Sequence, residues 1–214
     1  VYTVNALGER LTFTDRAGTT HTYTYDAVGR LVGDTVTTLG AGVPGAVRRV
    51  ETTYDALGNS TSTTSFNAAT GGSVVNQVVR AFTSFGQLTS EWQSHTGPVN
   101  PATAPRVQYA YSQTSGAQTR LSQMTYPDGY VLSFNATFND LFAGRVTSIS
   151  GALAGSATSG VLEAFKYLGA GTVAERSRPE VGITLTMATT TGATGDGGDK
   201  YTGLDRFGRV VDQR

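Results

Sequence analysis

Cysteine is absent from the 214 residues. That removes a disulfide framework, a thiolate zinc site and a thiol nucleophile together. Histidine is scarce: His21 and His95 stand alone, without the spacing of metal ligands or of a catalytic triad. Charge is sparse as well, at 15% of residues against roughly 25% in a typical soluble domain. The 16 basic residues balance 16 acidic ones, and nucleic-acid binding is not expected, because phosphate recognition needs clustered Lys and Arg. Runs of like charge are missing, which argues against an electrostatic membrane anchor. Apolar runs fall far short of the ~20 residues that span a bilayer, so membrane insertion is not expected either. Lysine occurs only at Lys166 and Lys200, a bias toward Arg that reads as GC-rich bacterial coding.

Signatures of chemistry are equally thin. No serine lies in a Gly-x-Ser-x-Gly elbow. Gly169-Ala170-Gly171 lacks the third glycine of a dinucleotide loop. Asp196 and Asp199 lie in a Gly-rich stretch without the alternating oxygen ligands and closing Glu of a calcium loop, and they read as a loop tip. A glycosidase would need two carboxylates about 5–10 Å apart, and turns account for most of the aspartates here. The chain is therefore read as no enzyme, with no cofactor and no metal. Asn59-Ser60-Thr61 and Asn135-Ala136-Thr137 match the glycosylation acceptor pattern, a match that a Thr-rich chain produces by chance.

What is present is alternation. His21, Tyr23 and Tyr25 alternate with Thr20, Thr22 and Thr24, the pattern of a half-buried strand. Val107, Tyr109 and Tyr111 repeat it, as do Phe134, Ala136 and Phe138, and Val181 through Met187. Residues 161–168 fit a strand as well as a short helix, and the context favours strand. Gly-, Ala-, Thr- and Pro-rich stretches at 39–46, 67–73, 94–105, 151–160 and 189–199 read as long hairpin tips or crossings. The expected fold class is all-β, built of tandem antiparallel hairpins in a spiralling sheet, shell or solenoid. No linker interrupts residues 1–214, so one continuous region with its own core is expected.

A phrase also recurs. Tyr25-Asp26-Ala27-Val28-Gly29-Arg30 returns as Tyr54-Asp55-Ala56-Leu57-Gly58-Asn59. Weaker copies run over Asn5–Leu11 around Gly8, Phe82–Leu88 around Gly86, and Leu204–Val210 with Asp205, Gly208 and Arg209, and a longer variant runs from Asp140 through Gly144 and Arg145 to Val146. Successive glycines in this set lie 21, 29, 28, 58 and 64 residues apart, the spacing of stacked repeats, with a degenerate copy inside the interval of 58. Glycine suits a turn that needs positive φ. Asp can accept from amides two residues on, Arg can pair with that Asp, and the aromatics are expected to stack into a ladder from unit to unit.

These residues resemble the YD-repeat, or Rhs-repeat, family over nearly the whole chain. Tyr126-Pro127-Asp128-Gly129 is similar to the turn that precedes such a unit. The resemblance implies hairpins spiralling into a large sheet, commonly closed into a hollow shell around a toxic polypeptide, at a bacterial surface or outside the cell. The Asp-Pro pairs linked to self-cleavage in the larger members are absent, so that activity does not carry over. The chain, starting at Val1, reads as a fragment of a longer polypeptide. Its expected partners are the rest of that chain or further copies, paired through sheet edges. A second reading is a glycan-binding adhesin that uses Tyr23, Tyr25, Tyr109 and Tyr111 with neighbouring Arg as a stacking stripe.

Overall fold

The structure is a computed structural model; it describes residues 1–112, 119–153, 155–156, 159–169, 171–187, 203, 205 and 209–211. The chain forms two compact units, Val1–Gln108 and Tyr109–Arg214. Unit 1 holds β1 (Tyr2–Val4), β2 (Arg10–Thr14), β3 (Thr20–Tyr25), β4 (Leu31–Thr38), β5 (Arg49–Tyr54), β6 (Ser60–Phe66), β7 (Val74–Phe82), β8 (Leu88–Ser94) and the first part of β9 (Arg106–Ser112). Unit 2 holds β10 (Arg120–Thr125), β11 (Tyr130–Asn135), α1 (Phe138–Phe142), β12 (Ser148–Leu153), β13 (Gly160–Leu168), β14 (Thr172–Arg178) and β15 (Ile183–Thr186). Within each unit every strand pairs antiparallel with its neighbour in sequence. The protein is all-β, a run of tandem hairpins, as the alternation predicts.

The expectation of a core fails. Ala174 is the one buried apolar residue among those described, and no large side chain is fully buried. Apart from the glycines Gly33, Gly151 and Gly203, the other buried residues described are polar: Thr19, Thr64, Ser90, Ser150, Glu175 and Thr186. Thr- and Ser-rich strands place hydroxyls opposite hydroxyls, so cross-strand bonds such as Thr3 to Thr12 at 2.6 Å and Thr53 to Ser62 at 2.6 Å take the place of apolar contacts.

Two strand assignments also change. Phe134 ends its alternation in β11, and Phe138 lies in α1 instead. Thr137 caps α1 by accepting from the Asp140 amide, and Phe138 meets Phe142 edge-on, one helical turn away, at 4.9 Å. Val181 closes a 3₁₀ turn, Pro179–Val181, and the left-handed Gly182 delays β15 to Ile183. In β15 the apolar residues Ile183 and Leu185 are exposed while Thr186 is buried. Residues 160–168 form strand β13, as expected. No described helix is long and apolar enough to cross a membrane.

Candidate functional site: the repeated turn and its tyrosine hook

The recurring phrase is one five-residue turn. The first residue's amide donates to the fifth residue's carbonyl: Asn5 to Glu9 at 2.9 Å, Asp26 to Arg30 at 3.0 Å, Asp55 to Asn59 at 3.0 Å, and Thr83 to Gln87 at 2.8 Å. The glycine in fourth place donates back to the first carbonyl, and φ at Gly29 and Gly58 is +82° and +91°. This is a type I turn closed by a left-handed residue, with the bulge that such a hairpin carries: register shifts at Thr24/Tyr25 and Thr53/Tyr54.

The side chain in first place locks the turn. Asp26 Oδ1 accepts from the Val28 and Arg30 amides, each at 3.0 Å. Asp55 does the same for Leu57 and Asn59, each at 2.9 Å. The other carboxylate oxygen takes the fifth side chain, Arg30 Nε at 2.7 Å or Asn59 Nδ2 at 2.9 Å. Bonds from the fifth residue lead the causes that hold both carboxyls below their ordinary range, through the Arg30 amide at Asp26 and the Asn59 side chain at Asp55. Asn5 and Thr83 fill the same place with other oxygen acceptors, which is why the copies around Gly8 and Gly86 work without Asp. Asp205 and Arg209 repeat the lock at 2.6 Å; Gly208 lies outside the described residues, as do Asp196, Asp199 and the midpoint of the 58-residue interval near residue 115.

Where a tyrosine precedes the turn, at Tyr25 and Tyr54, it acts between repeats. Tyr54 Oη donates to the Leu31 carbonyl at 3.0 Å, one residue past the preceding turn. Tyr25 Oη reaches Arg10 in the same relation to the turn at Asn5–Glu9, at 2.9 Å. Arg30 completes the link: its guanidinium lies 4.5 Å from the Tyr54 ring centre and donates to the Asp55 carbonyl. The expected aromatic ladder is therefore replaced. Tyr25 and Tyr54 show no ring contact with each other, and the Tyr54 ring meets the Arg30 guanidinium instead, because hairpins two strands apart stand about 9.6 Å apart, too far for rings to stack. The fifth side chain also covers the next turn: a Cβ on Gly29 would lie 2.9 Å from Glu9 Oε1, and one on Gly58 would lie 3.7 Å from Arg30 Nη1.

Unit 2 builds the same hook with different spacing. Asp140 and Arg145 pair at 2.5 Å around Gly144, with α1 stretching the loop. Arg145 lies 5.0 Å from the Tyr167 ring centre, and Tyr167 Oη donates to the Val146 carbonyl at 2.7 Å. Burial, the largest influence, pushes the Tyr167 hydroxyl up. Tyr167 was missed in the sequence because no Asp follows it; the signal available was its place 22 residues after Arg145, against 24 between Arg30 and Tyr54. Tyr126-Pro127-Asp128-Gly129 is itself a turn of this kind, between β10 and β11, closed by Tyr126 to Tyr130 at 2.8 Å. Tyr126 holds the first place and Asp128 the third, where its carboxylate takes the Tyr130 amide. Asp15 to Thr19, between β2 and β3, was also missed; Asp15 accepts from the Thr19 amide at 2.8 Å.

The other candidates are engaged elsewhere. His21 pairs with Asp34 at 2.6 Å and stacks on Tyr23. Tyr23 and Tyr25 belong to β3; Tyr109 and Tyr111 belong to β9, on the unit 2 side of the division. All four are half-buried. The amide nitrogens of Asn59 and Asn135 are both occupied, Asn59 by Asp55 and Asn135 by Ser148 and Ser150. Groups of three or more metal-ligating side chains are absent among the described residues. A shallow cleft of about 680 Å³ lies over β3 to β5, with buried Gly33 at its floor and Thr24, Arg30, Arg49, Glu51 and Tyr54 around it.

The fold and the turn together define a class: a run of tandem β-hairpins in which tyrosine hooks tie several turns to their neighbours. No family model and no curated protein matches the chain. Among solved structures, the chain is similar in fold to part of a TcdB2-TccC3-Cdc42 crystal structure, with TM-score 0.52, 13% identity, and coverage of 87% of this chain and 9% of that one. TcdB2-TccC3 without its hypervariable C-terminal region gives TM-score 0.50, 10% identity, and coverage of 87% and 10%. The chain thus spans about a tenth of the length of these chains.

Proposed function

We propose that this protein is a section of non-catalytic Rhs-type β-wall from a secreted or surface-displayed polypeptide. It continues with the rest of a larger chain into a spiral or shell that encloses cargo, or it polymerises through its edges into a tube or filament. The observation that carries this reading is a repeated inter-hairpin hook in a chain with almost no buried apolar residue. A sheet with both faces uncovered is stable only as part of something that covers a face or closes its edges. The fold shared with part of the much longer TcdB2-TccC3 chains supports the same reading.

Electron microscopy tests it, on the chain sized first by light scattering and on the full polypeptide it comes from. Tubes, fibres or a hollow shell are expected. A solid, compact particle in both preparations overturns the reading.

One observation favours glycan binding as a second reading: the cleft over β3 to β5 is lined by hydroxyls, two guanidiniums and two carboxylates around Gly33. Tyr54 borders this cleft and Tyr23 does not, so the stripe narrows to Arg49, Glu51 and Tyr54. Glycan-array binding lost on Arg49→Ala with folding intact would support it; no binding to any glycan would remove it.

A further inference from the structure

In four regular turns of unit 1 the third residue is large, apolar and turned to solvent. Leu7 is 83% exposed, Val28 74%, Leu57 64% and Phe85 84%. These are the turns between β1 and β2, β3 and β4, β5 and β6, and β7 and β8, so all four fall at one end of the strands. They are consecutive in space, since Glu9, Arg30 and Asn59 each reach over the glycine of the next turn. Turn chemistry does not ask for this residue type. The third position of a type I turn favours polar residues, and the equivalent turn at the opposite end, Asp15 to Thr19, has Ala17 there.

The two ends differ in regularity as well. At the apolar end every connection is the same five-residue turn. At the other end Asp15–Thr19 is the same five-residue turn, but the remaining connections span 39–48, 67–73 and 95–105, long loops of unequal length. A flush end with one apolar tip per hairpin, about every 9.6 Å, has the form of a mating edge.

We infer that this row of tips is a seam that docks tip to tip against the same row of a second copy of this chain. Three features select that occupant. The spacing of the tips matches itself, so a two-fold arrangement brings Leu7 and Phe85 of one copy toward Phe85 and Leu7 of the other. In that two-fold arrangement like charges do not meet: Glu9, held by Asn5, faces the uncharged turn Thr83–Gln87, and Asp55, held by Asn59, faces the Arg30–Asp26 pair at 2.7 Å. The area is also of the right order. Phe85 alone offers on the order of 150 Å², and with Leu7, Val28 and Leu57 the row has the extent of an ordinary monomer's largest apolar patch, roughly 300–600 Å². Two such rows cover at most on the order of 1,200 Å², the lower bound of specific interfaces.

The inference rests on the wall reading and adds the surface by which walls meet. Sedimentation equilibrium of the whole chain tests it, comparing wild type with Leu7→Asn/Val28→Asn/Leu57→Asn/Phe85→Asn. Asn suits this turn position, so circular dichroism should be unchanged. The expected result is wild-type self-association that weakens at least roughly tenfold in the variant. A second variant, Tyr2→Pro, removes an N–H that faces away from β2, blocks strand addition at the β1 edge and should associate like wild type. A monomeric wild type, a tip variant that associates as well as wild type, or loss of association in Tyr2→Pro alone each overturns the seam. The last two outcomes leave the wall reading standing, whereas a solid particle under the microscope removes that reading whatever the tips do.

Discussion

Asp26 accepts three hydrogen bonds inside one turn, two of them from backbone amides and one from Arg30 Nε. Asp55 does the same with Asn59. Both carboxyls are held below their ordinary value of 3.8 in the folded protein. Their contribution to stability is therefore complete above that value and lost as pH falls through the lower folded value. Asn5 shows that a neutral amide can hold the same turn. Thermal unfolding followed against pH should thus show an acid-side fall for wild type and a shallower one for Asp26→Asn/Asp55→Asn, with little difference at neutral pH. An unchanged acid limb would show that the turn carboxylates are not responsible. Tyr54→Phe keeps the ring under Arg30 but removes the bond to the Leu31 carbonyl. A cost of about 1 kcal/mol in urea unfolding is expected.

The hairpin is the element, and it is coupled to its neighbours at two levels. Strand pairing supplies the first and the turn-to-turn hook the second. Arg30→Ala should uncouple the hairpin β3–β4 from β5–β6, because it removes contacts to Asp26, the Tyr54 ring and the Asp55 carbonyl together. Hydrogen exchange should report this as faster exchange at both turns while strand-centre amides stay protected. Gly33 serves the same pair of hairpins from within β4. A Cβ there would fall 2.4 Å from Thr24 Oγ1, so Gly33→Ala should cost about 1–3 kcal/mol. Adding Thr24→Ala should recover most of that loss. Failure to recover it would place the cost in the backbone of β4 instead. In unit 2, Glu163 joins β13 to β14 by accepting from Arg176 and Arg178. Its carboxyl is held below the ordinary range, chiefly by the bond from Arg176, so this link too weakens only as pH falls into the acid range.

For the molecule as a whole, the scarcity of buried apolar surface sets the thermodynamics. Heat capacity of unfolding follows exposed apolar area, and an ordinary globular protein of this length would show roughly 3 kcal/mol/K at 12–15 cal/mol/K per residue. This chain, with Ala174 as the one buried apolar residue described, should fall clearly below that figure in dilute solution. Calorimetry over a concentration series should find the value rising as copies associate and cover their apolar tips. A full value at low concentration would mean that the chain buries a core of its own.

Much of this architecture was legible in order of residues alone. Alternation fixed the strands, since period two puts successive side chains on opposite faces, and Asp with Gly three residues later fixed the turns, since only an oxygen acceptor and a left-handed residue close that loop. The limits of the reading have physical causes. Thr83 and Asn5 hide the motif because the turn needs an acceptor and not a carboxylate. Tyr167 hides it because its partner, Arg145, is near only across strands. Phe138 passed for strand because a capping Thr137 outweighs alternation over a span so short. The sequence by itself determined the element type and the local turn, both products of neighbouring residues. Only the tertiary structure decided that guanidiniums meet the Tyr54 and Tyr167 rings, that the described residues bury almost no apolar side chain, and that four turn tips align, because each of these depends on the distance between hairpins and not on the order of residues within one.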